Sequence, residues 1–96
     1  MAGLPIKYRD GSWQVLAEDN WIKVDSDSDA YKLAASADLA HVALEGDREG
    51  EEIAGELESC AALFARYGAH SSARYMTECA KFARHEPSYF DGINLD

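Results

Sequence analysis

The chain is poor in cysteine, proline and positive charge, and it has no long apolar run. Its 96 residues include only two cysteines, Cys60 and Cys79, and two prolines, Pro5 and Pro87. Two cysteines build no disulfide framework of the kind that holds small secreted domains together. No stretch approaches the roughly 18 apolar residues of a membrane-spanning helix. Met1 to Lys7 lacks the charged region and apolar run of a secretory signal. A single cytoplasmic domain is the expectation at this length. The usual signatures of catalysis are also missing. There is no G-x-S-x-G, no Gly-rich phosphate loop and no H-E-x-x-H. A non-enzymatic protein without metal or cofactor is therefore expected.

Lys and Arg number 9 against 18 Asp and Glu, for a net charge of −9. The excess is not spread evenly. In residues 1–24, Lys7, Arg9 and Lys23 balance Asp10, Glu18 and Asp19. In 59–96, four bases balance four acids. All of the net charge falls in 25–58, where eleven acids meet only Lys32 and Arg48. Phosphate contacts need basic residues, so direct nucleic-acid binding is not expected, and an anionic membrane surface would repel the chain.

What is present reads as α+β. Ile6 and Tyr8 alternate with Lys7 and Arg9, and Asp10-Gly11 follows as a hairpin signal, since Gly tolerates positive φ. Trp13, Val15 and Ala17 alternate with Ser12, Gln14 and Leu16. Glu18-Asp19-Asn20 reads as a polar turn, and Trp21–Val24 as a third strand. A three-stranded antiparallel meander over 1–24 is predicted. Such a sheet is marginal alone, so one face must be covered by helices. Of its aromatics, Tyr8, Trp13 and Tyr31 are expected in the sheet–helix core, whereas the alternation allows Trp21 either face.

A three-helix array over 27–86 is predicted next. Ser26 with Asp29 resembles a capping box, with Asp in place of Glu, and opens a helix running to Leu44 or Glu45. Its expected apolar residues are Tyr31, Leu33, Ala34, Ala37, Leu39, Ala40, Val42 and Leu44. Gly46 stops it. Asp47 is the expected cap of helix two, whose apolar stripe is Ile53, Leu57, Cys60, Ala61 and Phe64, with Gly68 closing it. Ser71 or Ser72 is the expected cap of helix three, with a stripe of Met76, Cys79, Ala80 and Ala83. Pro87 ends it, and 87–96 is a tail whose Tyr89, Phe90, Ile93 and Leu95 are expected to pack back on the body. The short connection makes helices two and three an antiparallel hairpin.

Three chemical constellations fail on spacing. Asp25, Asp27 and Asp29 match the first three ligands of an EF-hand loop, but the places that need Gly and Glu hold Ala30 and Ser36. Cys60, Cys79, His41, His70 and His85 offer zinc ligands without the short steps zinc sites use. Both thiols lie on apolar stripes, where a Cys nucleophile would not be activated. Buried free thiols are the expectation.

The acidic run remains. Glu45, Asp47, Glu49, Glu51, Glu52, Glu56 and Glu58 lie within fourteen residues, opposed only by Arg48. Like charges four apart on a helix repel, at a cost of a few tenths of a kcal/mol each. Such crowding either keeps the protein soluble or matches a basic partner and speeds encounter. The expected function is a small acidic protein that binds a basic surface of a nucleic-acid-handling protein, its acidic helix face standing in for phosphates as a DNA mimic does. These acids and Trp21 are the expected contact residues. Size and charge are similar to those of small phage-encoded inhibitors of bacterial defence, anti-CRISPR proteins among them. The same physics fits an immunity or antitoxin partner of a basic toxin. A structural homo-oligomer, a homodimer included, joined through aromatic sheet residues or Ala-rich helices, is a third reading. Changing Glu49, Glu51, Glu52 and Glu56 to Gln is expected to keep the fold and slow association.

Overall fold

Asp10 and Gly11 adopt φ of 55° and 78°, the paired positive values of a type I′ turn. That turn joins β1 (Ile6–Arg9) to β2 (Ser12–Ala17), with Arg9 opposite Ser12. The computed structural model describes residues 3–45 and 50–86. The second hairpin is tighter than the sequence predicts. Glu18 and Asp19 alone form the turn, with φ of 55° and 65°, and Asn20 opens β3 (Asn20–Val24) opposite Ala17. Two non-glycine residues in the left-handed region are costly, and the Asn20 side chain helps by donating to the Glu18 carbonyl at 3.1 Å. The sheet order is β1-β2-β3, the predicted meander.

Helix α1 (Asp27–Glu45) starts as the capping signal requires: the Asp29 amide donates to Ser26 Oγ at 3.1 Å. The Asp29 carboxylate is used elsewhere, accepting from the Tyr67 hydroxyl at 2.5 Å. The buried line of α1 is Ala30, Leu33, Ser36, Ala40 and Ala43. This differs from the predicted set, because Ala occurs all round the helix and blurs its periodicity. Ser36 is fully buried and satisfies its hydroxyl on the Leu33 carbonyl at 2.7 Å.

Helices α2 (Gly50–Arg66) and α3 (His70–Ala83) form the predicted antiparallel hairpin. Gly68, at φ 84°, closes α2: its amide donates to Ala65 and that of Ala69 to Phe64, a Schellman motif. The start of α3 corrects the sequence reading. Neither Ser71 nor Ser72 caps it; Ala69 stands at the N-cap without a side-chain bond. The capping oxygen comes from 54 residues away, where the Glu18 carboxylate accepts from the Ser72 amide at 2.6 Å. The helix also stops before Pro87. His85, at φ 62°, ends it, with its amide donating to Phe82 and that of Glu86 to Lys81. The expected Asp47 cap, the Gly46 stop and the tail packing concern residues outside those described.

The sheet lays one face on α1, and α1 in turn lies on the α2–α3 hairpin. Val15, Ala17, Val24, Leu33, Leu57, Phe64, Met76 and several alanines make the core. Tyr8 and Tyr31 do not join it as expected. They are 61% and 56% exposed and flank the half-buried Trp13 at ring distances of 5.2 and 5.6 Å. The three rings close the rim between sheet and α1 rather than filling the interior. Among the described residues no helix is long and apolar enough to cross a membrane.

Candidate functional site

The buried stripe of α2 is Ala54, Leu57, Cys60, Ala61 and Phe64. Its glutamates are therefore forced outward, but not onto one face. Successive residues turn by about 100°, so Glu51 and Glu58 share one flank and Glu52 and Glu56 the other. The first flank borders α3. There Arg84 reaches back across the hairpin and donates two bonds of 3.0 Å to the two carboxylate oxygens of Glu51, and further bonds to Glu58. A fork of this kind gives geometric definition beyond charge alone. The guanidinium beside them holds the carboxyls of both glutamates below the usual carboxylate range, and the two carboxylates raise Arg84 further.

The other flank borders α1. Glu52 and Glu56 line a shallow depression of about 360 Å³ with Lys32, Glu51, Gly55 and Ser59. The Lys32 ammonium there donates to Ser59 Oγ at 2.5 Å. Both glutamates are exposed, and neither has an ion pair or hydrogen bond among the described residues. Glu45, at the end of α1, lies 2.9 Å from His41 one turn earlier. Asp47 and Glu49 fall outside the described residues. The seven acids that sequence groups together are thus sorted by the fold. Two are tied to Arg84, one lies beside His41, and two have no ion pair among the described residues.

Trp21 is not part of this surface. It lies on the face of the sheet opposite α1, 40% exposed, with the Lys7 ammonium 4.0 Å from its ring centroid. Cys60 and Cys79 are buried and free rather than bridged. Burial pushes both thiols up, Cys79 to about 11, the opposite of what a thiolate nucleophile needs.

Sequence reasoning missed Arg84 and Tyr67. The signal for Arg84 was present, since an antiparallel hairpin sets the last turn of α3 beside the first turns of α2. Tyr67 follows α2, accepts from the Asp25 amide at 3.0 Å and donates to Asp29, while Arg66 bonds the Asp25 carboxylate at 2.9 Å. Burial first, and then the bond to Asp29, raise the Tyr67 hydroxyl. No protein-family model, curated protein or solved structure matches the chain.

The Arg84 fork predicts acid sensitivity of a definite sign. Carboxyls depressed in the folded state stabilise it above their unfolded pKa, and that contribution disappears as pH falls through the folded, lowered values. The urea midpoint is expected to hold steady above about pH 5 and to fall below about pH 4. In an Arg84→Met variant the midpoint starts lower and the acid slope is shallower. An unchanged slope would show that other carboxylates carry it.

Proposed function

We propose that the protein is a non-enzymatic binding module. Its α2 surface, centred on Glu52 and Glu56, engages a basic patch of a nucleic-acid-handling protein, in the manner of a phage-encoded inhibitor of bacterial defence. The observation behind this reading is that two like charges one helical turn apart are exposed with no ion pair among the described residues, although Arg84 and His41 lie against neighbouring acids. Their mutual repulsion disfavours the helix slightly, and a cation from a partner would relieve it. Unpaired charge at the rim of a contact acts chiefly on the association rate.

The test is a Glu52→Gln/Glu56→Gln variant. It is cleaner than one that includes Glu51, whose loss would also loosen Arg84. The wild type is expected to capture a DNA- or RNA-binding protein from host lysate at low salt, and added duplex DNA to displace it. The variant should keep its melting curve and associate more slowly, on the order of tenfold. Binding that is equal in both proteins, or that DNA leaves untouched, would sink the reading.

A further inference from the structure

The outer face of the sheet carries the opposite charge. Strand alternation puts Ile6, Tyr8, Trp13, Val15, Ala17, Ile22 and Val24 toward α1, where Val15, Ala17 and Val24 are buried. The other face follows by parity. In the register, Lys7, Gln14 and Lys23 form one row across the three strands, Arg9 and Ser12 the row on one side, and Leu16 with Trp21 the row on the other. The acids of this part of the chain, Asp10, Glu18 and Asp19, all sit in the two turns and none on this face. No ion pair reaches Lys7, Arg9 or Lys23 among the described residues, in a chain with twice as many acids as bases. Gln14 is only 9% exposed although no described helix covers this face, because the Lys7 side chain crosses the central strand to reach the Trp21 ring.

We propose that this face docks an extended acidic segment of a partner protein with the pattern apolar-x-acid-x-acid. Lys7 and Arg9 are two residues apart on one strand, a spacing of about 6.6–6.8 Å. Alternate side chains of an extended peptide repeat at the same interval, so two carboxylates can meet the two cations. Lys23 lies in the row of Lys7, about 10 Å across the sheet, and brackets the first carboxylate. Two residues further along, the apolar side chain of the segment meets Leu16 and Trp21. An exposed Trp and an Arg on one face are residue types that contact patches favour.

A nucleic-acid strand fits less well. Lys7 already covers a face of the ring on which a base would stack. Three cations neutralise few of the phosphates of a strand, whereas they match the two carboxylates of a short acidic segment. The proposal is independent of the α2 reading, since the two surfaces lie on different elements.

The experiment is a titration of the labelled protein with the peptide Phe-Ser-Glu-Ser-Glu, followed by amide and indole resonances. Shifts are expected at Lys7, Arg9, Leu16, Trp21 and Lys23, and to disappear when Gln replaces both peptide glutamates. Lys7→Glu/Lys23→Glu should weaken binding by about tenfold or more, while Glu52→Gln/Glu56→Gln leaves it unchanged. Shifts centred elsewhere, equal binding of the Gln peptide, or tighter binding of a single-stranded oligonucleotide to the same residues would each overturn the proposal.

Discussion

Phe64→Ala is expected to lower the unfolding free energy by about 3–5 kcal/mol. Phe64 is fully buried and is the bulkiest of the fully buried side chains among the described residues. Its position in the last turns of α2 lets it line a surface cavity with Leu4, Ala17, Ala37, Tyr75 and Met76, beside the Schellman turn whose two bonds end on Ala65 and on Phe64 itself. The cost of such a deletion depends on how far the surroundings can fill the hole. Here Ala17 and Ala37 present only methyl groups, fixed to the backbones of β2 and α1, which cannot swing inward. A domain of this size has a total stability of roughly 5–15 kcal/mol, so the variant should be near or beyond its folding threshold. Urea unfolding followed by circular dichroism measures the loss. A loss below about 1 kcal/mol would mean that α2 and α3 move together to close the cavity.

Gly50→Ala and Gly55→Ala are expected to act in opposite directions, although the glycines lie five residues apart on one helix. A Cβ at Gly50 would stand 2.1 Å from the carbonyl oxygen of Ala83 and 3.1 Å from its carbon. Backbone cannot swing aside as a side chain can. The start of α2 and the end of α3 would have to part, and the Glu51–Arg84 fork at that junction would lengthen. Overpacking of this kind costs about 1–3 kcal/mol. At Gly55 nothing lies within 4 Å of the added carbon. The substitution there brings only the helix preference of Ala over Gly, about 0.5–1 kcal/mol in favour of folding. Thermal melts of the two variants beside wild type decide the matter. Stabilisation by Gly50→Ala would show that the two helix ends are free to separate.

The order of elements was legible in the sequence because each carries a local signal. Asp10-Gly11 marks the first hairpin, Ser26 the start of α1, and Gly68 the end of α2. The stripes of α2 and α3 were readable because Leu57, Phe64 and Met76 punctuate the alanines. The stripe of α1 was not, since alanine stands on every side and burial distinguishes its faces only after the sheet and hairpin have docked. The cap of α3 was invisible for another reason: its oxygen belongs to Glu18, and no local rule connects residues that far apart. The acidic run was legible as composition but not as a surface. One-dimensional spacing showed a crowd of like charges. Only the hairpin geometry brought Arg84 to two of them and left Glu52 and Glu56 without a partner among the described residues. Trp21 could not be assigned to a face from alternation until the buried positions of β2 fixed the parity.

The bonds that Glu18 and Tyr67 make across the fold have a consequence for how the chain assembles. Of the helices, α1 alone packs broadly on the sheet, so packing by itself would let the first 24 residues come and go as an appendage. Glu18 fastens the tip of the β2–β3 hairpin to α3, and Tyr67 fastens the other end of β3 to the turn after α2. These links close loops of 54 and 42 residues, and the entropy lost in closing such loops is recovered only when both partners are already in place. The meander can thus form early as a local hairpin pair, yet it becomes persistent only once the distant helix hairpin has folded. The sheet and the α2–α3 hairpin should therefore gain and lose hydrogen-exchange protection as one cooperative unit rather than as a stable helical body with a fraying sheet.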